Sequence, residues 1–260
     1  MKENNVLINS IYTPKNAKIS KRIAAWVVDI ILIVILWTGI SMFNSMIYKY
    51  DAYMETVTEK YVEYNLATYD EEKKEYVFVD IEKDKVAQEN YALLVKDQEF
   101  IEAYHKVNNG QIIILATGLF GSLLVFEFIL PLCLKHGRTI GMRFFGIGYV
   151  TDDDIDVGFK QVFVRFVFGK FIVSGFVPLT GYLLFAMSGG FGGMGLILLI
   201  GVPVLNVILS CITPEKRGIH DYIARVKPID NDCQIYVKTK EELSRLKVEE
   251  LSNQNGNYRK

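Results

Sequence analysis

Apolar and polar residues are sorted into blocks along this chain. Four apolar runs are each long enough to cross a bilayer, which takes about 20 residues as a helix. The first follows Lys21–Arg22 and continues to Tyr48, and the second covers 111–134. The third and fourth come from one uncharged tract, Phe171–Pro214, which is too long for one span and suits two, at 166–187 and 193–212. Gly189–Gly193, GGFGG, marks the turn between them, with 188–192 as the outer loop. Four such runs with few charges do not fit one soluble domain. The pattern predicts an all-α polytopic membrane protein.

The polar blocks add three further elements. Between the first two spans, 49–110, Tyr53, Val57, Tyr61 and Tyr64 share one helical face. KEYVFVDIEK then alternates like a strand, and Asp84–Val107 is helical by pattern, so the insertion reads as a helical hairpin extending the two spans. Tyr48, Tyr50 and Tyr104 are placed for an interfacial aromatic belt. Within the 135–165 segment and onward, Val157–Phe171 interleaves aromatics with Lys160, Arg165 and Lys170, as in an amphipathic helix lying at the interface before the third span. After the last span, a tail over 213–260 opens a short helix at Thr239 with Glu242 three residues on, a capping-box pattern. Its tip, NQNGNYRK, reads as disordered, and a polar N-terminal tail covers 1–20.

Charge orients this arrangement. Overall the chain is close to neutral, at −1, yet 51–109 holds 15 acidic residues against 7 lysines. Lys and Arg cluster before the first span, between the second and third, and after the fourth. The positive-inside rule places all three clusters, and both termini, in the cytoplasm, and the acidic insertion outside. The first 20 residues are polar and no small-residue cleavage pattern follows, so no cleavable signal peptide is expected. Half of the residues are hydrophobic, and the three cysteines (Cys133, Cys211, Cys233) offer no CxxC pair. The three histidines share no ligand spacing, so no metal site or cofactor is expected, and no nucleophile motif supports an enzyme. Nothing suggests a nucleic-acid partner. The partners expected are the bilayer, and Na⁺ and protons if the intramembrane acids carry ions.

Those acids are the chemistry most worth following. Asp29 is the only charge between Ile23 and Trp37, seven residues past Arg22; Glu127 lies seven residues before the end of the second span. Opposite span directions put both at similar depth, about 10 Å from the cytoplasmic side. An ionised carboxylate there costs roughly 2.5–3.5 kcal/mol on insertion scales. The two can share a proton, hold a cation or take an arginine from elsewhere, with Arg22 close enough for a shared polar cleft. Alternatively they hydrogen-bond between helices and fix the packing. Pro131, four residues past Glu127, removes a backbone bond and can open a polar notch there. His220–Asp221 follows the fourth span among basic residues, and the loop HGRTIGMRFFGI lacks a phosphate-cradle pattern. Arg138, Arg143, Arg165 and Arg225 form the basic cytoplasmic face.

Together these residues resemble the RDD family of bacterial membrane proteins, over about 20–228. The family's arginine and two aspartates would be Arg22, Asp29 and Asp221, the last within RGIHDYIARV. GRTIGMRFFGI is similar to the family's T-P-G-K-R-x-x-G-I, with Ile140 in place of Pro and Met142 in place of Lys. Glu127 matches a position that often carries an acid in the family, and 49–110 is an insertion of a kind some members have. The resemblance implies a possible transporter of the bacterial cell membrane, with sodium–proton antiport reported for some members. Asp29, Glu127, Arg22, Asp221 and His220 are then the candidate ion-pathway residues, and a homo-oligomer is expected. The rival expectation is a scaffold or accessory protein whose buried charges hold helices together and whose basic face meets anionic lipid or a partner.

Overall fold

The computed structural model describes residues 14–188, 192–231 and 236–257. Four helices carry the apolar runs: α1, Ile19–Tyr48; α4, Gln98–Cys133; α6, Phe159–Met187; and α7, Gly193–Ile212. Each is long and apolar enough to span a membrane, and the protein is an all-α polytopic membrane protein with two small sheets added. The second and third spanning helices begin earlier than the apolar runs do, at Gln98 and Phe159. The aromatic–basic stretch from Phe159 onward is the first part of α6, continuous with its apolar remainder. Most of the GGFGG turn lies outside the described residues.

Three of the four helices share one irregularity. A widened, π-type stretch precedes a proline in each: Val125–Ile129 before Pro131, Arg165–Phe176 before Pro178, and Ile197–Gly201 before Pro203. Proline lacks an N–H and its ring crowds the carbonyl four residues back. Widening the preceding turn relieves both problems: Leu130 N–H reaches Val125 and Val177 N–H reaches Ile172, each five residues back. The notch expected beside Glu127 is this wider turn.

The chain forms two compact units, Leu36–Gly118 and the remainder. In the first, α2 (Tyr50–Glu63), the hairpin β1 (Ala67–Asp70) and β2 (Glu75–Phe78), α3 (Lys85–Leu94) and the start of α4 enclose a core. Val57, Leu66, Leu94 and Phe100 fill it, with Tyr53, Tyr61 and Tyr64 packed around. The tyrosine face anticipated along α2 is the face that packs. Asp84 and Asp97 break the single helix expected over 84–107, because each caps the helix that follows it, through the amides of Val86 and Ala87 and of Glu99 and Phe100. Asp97 also takes Lys60 at 3.2 Å and the Tyr64 hydroxyl. The Phe100 amide and then Lys60 hold its carboxyl below the usual range, in spite of partial burial.

Within the same unit, α1 and α4 are pinned by polar contacts. Trp37 Nε1 donates to the Leu115 carbonyl at 3.0 Å and Asn44 donates to Thr117 at 2.8 Å. Gly118 leaves room for Trp37 and Ser41, which any Cβ there would strike.

In the second unit, a five-residue strand β3 (Ile147–Thr151) pairs antiparallel with β4 (Val226–Asp230). The N-terminal segment joins at the edge: Asp230 N–H donates to Lys15 and Ala17 N–H to Pro228. All of β3 is buried. This sheet, absent from the sequence reading, ties three distant segments together. Helix α5 (Ile140–Phe144) precedes β3, α8 (Ile219–Ala224) precedes β4, and α9 runs Lys240–Asn257. Thr139 caps α5 through the Met142 amide. The Glu242 amide bonds Thr239 at the start of α9, which extends well into the tip read as disordered.

Candidate functional site

In the second unit three buried carboxylates, Asp29, Glu127 and Asp221, meet three cations, Arg165 buried and Arg22 and Lys170 half-buried. Asp221 is fully buried at the start of α8, where the Gly218 amide donates to its Oδ2 at 3.1 Å. Arg22 from α1 reaches the same oxygen at 3.4 Å, and Arg165 from α6 lies 3.3 Å from Oδ1. Two arginines on one carboxylate, with only ion contact at Oδ1, form a charge-dense knot. Burial alone would raise the Asp221 carboxyl, but the neighbouring positive charge and the Gly218 amide hold it below its usual value. His220 is buried beside it, and burial pushes its imidazole down to about 3, so it is neutral. Gly169 on α6 lets α8 come this close, since a Cβ there would meet the His220 side chain.

Arg165 has a second partner. Its guanidinium lies over the Tyr149 ring at 4.2 Å and donates to the Tyr149 hydroxyl at 2.8 Å. Burial pushes the Tyr149 phenol up, so it stays protonated. Arg165 is therefore not part of a basic face. Arg143 and Arg225 are exposed, and Arg138 is half-buried, donating to the Leu134 and Lys135 carbonyls at the end of α4.

Asp29 is buried and has partners of its own. The Thr139 hydroxyl donates to Oδ2 at 2.5 Å and the Gly141 amide to Oδ1 at 2.8 Å. Both belong to the motif GRTIGMRFFGI, whose threonine and glycine thus have a physical reason. The hydroxyl and the bare amide bind the carboxylate, and a Cβ at 141 would collide with the Ala25 carbonyl. Arg22, seven residues before Asp29, goes to Asp221 instead.

Glu127 is paired with Lys170 of α6 at 2.8 Å through Oε1, while Oε2 is buried with no partner. Both residues sit in widened turns, one in Val125–Ile129 and one in Arg165–Phe176. Such turns recur at functional sites, since the irregular ladder aims side chains that a regular helix would not. Phe128 stacks on Phe166 at 5.1 Å, and Phe120 meets Phe171 at 4.4 Å, closing the α4–α6 seam around the pair. Asp29 and Glu127 share no hydrogen bond but lie within electrostatic range of each other and of Lys170. A cavity of about 180 Å³ is lined by Arg22, Asp29, Tyr149, Lys170 and His220 among others.

All five candidate pathway residues thus fall in one region, joined by three that sequence reading missed: Thr139, Tyr149 and Lys170. Lys170 carried a signal, a lone lysine in an apolar tract, which the surrounding aromatics made look interfacial. Four apolar helices around a buried, charge-balanced cluster define an integral membrane protein. The chain matches the RDD family over residues 16–225 and belongs to that family. No curated protein and no solved structure matches it.

Proposed function

We propose that the protein exchanges a monovalent cation, Na⁺, for protons across the bacterial cell membrane, with Glu127 as the exchanging carboxylate. The carrying observation is the half-satisfied Glu127: one oxygen on Lys170, the other buried and unpartnered. A proton or a desolvated cation on Glu127 weakens its hold on Lys170, which lines the cavity. Proton, Na⁺ and Lys170 then compete for one carboxylate, the simplest chemistry of exchange. Asp29 adds negative potential nearby, and Arg22 with His220–Asp221 borders the route. The basic segments and both termini face the cytoplasm, and four spans call for a homo-oligomer. In proteoliposomes, Glu127→Gln is expected to abolish ΔpH-driven Na⁺ flux while the protein stays folded; normal flux in that variant refutes the assignment.

A second reading has its own observation. Asp29 has both oxygens occupied by the 139–141 loop, and Asp221 holds two arginines, so the cluster satisfies most of its charge internally. This favours a scaffold or accessory protein whose buried charges lock helices together. It expects Asp29→Asn and Glu127→Gln to lower thermal stability, with no Na⁺-dependent shift in the native protein.

A further inference from the structure

The cavity has two kinds of wall. Its polar side carries Arg22 and Lys170, whose partners Asp221 and Glu127 lie outside the lining, and one lining acid, Asp29, whose oxygens are already taken by Thr139 and Gly141. Arg22 Nη1 is buried with no partner. Asn206 accepts the Ile219 amide through Oδ1, which leaves its NH₂ group as a donor, while the Ser210 hydroxyl one turn on donates to the Asn206 carbonyl. The other side is apolar: Ile23 and Trp26 of α1, Val207 and Cys211 of α7. All four of these are exposed on spanning helices, so in a membrane they face acyl chains. Arg22 lies in the first turn of α1 and Ser210 in the last turn of α7, the depth at which headgroups meet hydrocarbon.

A ligand that fits both walls enters from the bilayer, carries an anion at headgroup depth and has an apolar tail. We propose that this cavity, between the first and fourth spanning helices, binds an acidic phospholipid, its phosphodiester against Arg22, Lys170 and Asn206 and its chains along Trp26 and Val207. The site is separate from the exposed arginines Arg143 and Arg225; it shares Lys170 with Glu127 but holds whether or not Glu127 exchanges ions. A zwitterionic headgroup brings an ammonium for which the only cavity carboxylate, among the described residues, is already engaged.

The full chain, purified in neutral detergent, is titrated with phosphatidylglycerol, phosphatidylcholine, phosphatidylethanolamine or inorganic phosphate, reading thermal unfolding and lipids retained in native mass spectrometry. Phosphatidylglycerol is expected to bind about tenfold more tightly than either zwitterionic lipid, the worth of one charged hydrogen bond. Val207→Trp, which fills the apolar mouth, should erase that preference. If Val207→Trp does not fold, Cys211→Trp at the same mouth replaces it. Equal affinity for the three lipids overturns the proposal, as does a preference that survives the tryptophan. Inorganic phosphate matching phosphatidylglycerol would mean a soluble-anion site and overturns the lipid assignment.

Discussion

Asp221 does more than any other single residue to hold the cluster together. It is the shared anion of two arginines from two spanning helices, and its loss would strand both in a buried setting. Removing one partner of a buried ion pair costs roughly 3–5 kcal/mol. Asp221→Ala is therefore expected to fail to accumulate or to unfold at markedly lower temperature, whereas the exposed Arg225→Ala stays near wild type in the same thermal scan. The neighbouring His220 sets a pH dependence. Its folded value, about 3, lies below the usual 6.5, so the unfolded chain takes up a proton first as pH falls. Stability is then complete above about pH 6.5 and declines below it, by up to about 1.4 kcal/mol per pH unit from this group. His220→Gln should flatten that decline between pH 7 and 5, measured by unfolding in detergent, even if its stability at pH 7 is lower. Asp221, held low, adds its own loss only in more acidic solution, below the ordinary carboxylate range.

At the scale of elements, small residues decide how closely helices approach. Gly181 of α6 and Gly195 of α7 face each other so tightly that a Cβ on Gly181 would lie 2.6 Å from the Leu199 nitrogen, and one on Gly195 2.5 Å from the Phe185 nitrogen. Backbone cannot give way as a flexible side chain can, so Gly181→Ala is expected to cost about 1–3 kcal/mol through helix separation. Gly39 in α1 is the contrast, with nothing within 4 Å of an added Cβ, and Gly39→Ala should be neutral or slightly stabilising in the same assay. The spanning helices were legible because long apolar runs leave a strong signal in sequence. The β3–β4 sheet was not: each strand is five residues, and the partners lie 75 or more positions apart, so no local pattern announces the pairing. The partners of the two intramembrane acids were hidden for the same reason. Asp29 and Glu127 stand out as charges in apolar runs, but Thr139 is 110 residues from Asp29, and Lys170 is 43 from Glu127. Equal depth suggested that the acids face one another; the fold gives each a separate partner and leaves them coupled only through space.

For the whole molecule, the segregation of charge makes a topological claim that labelling can check. Under the proposed orientation the acidic 51–109 segment is expected outside the cell and the basic segments in the cytoplasm. In a background with Cys133, Cys211 and Cys233 replaced by serine, Glu72→Cys in the β1–β2 turn should react with an impermeant maleimide in intact cells. Arg143→Cys should react only in inverted vesicles. Labelling of both from one side would overturn the proposed orientation.

The three-to-three match of acids and bases in the cluster bears on how such a protein can change over time. Any single replacement of Glu127 or Lys170 leaves one unmatched charge inside a spanning bundle, whereas replacing both by apolar residues removes the imbalance. The double variant Glu127→Leu with Lys170→Met should then be more stable than either single one, a non-additive result in a double-mutant cycle. Relatives are accordingly expected to keep or lose these two positions jointly, so that they drift as a linked pair. Arg22 and Arg165, tied to one aspartate, have no such neutral route by a two-residue exchange: changing that knot without stranding a charge requires three coordinated substitutions, and it should be the slowest part of the molecule to diverge.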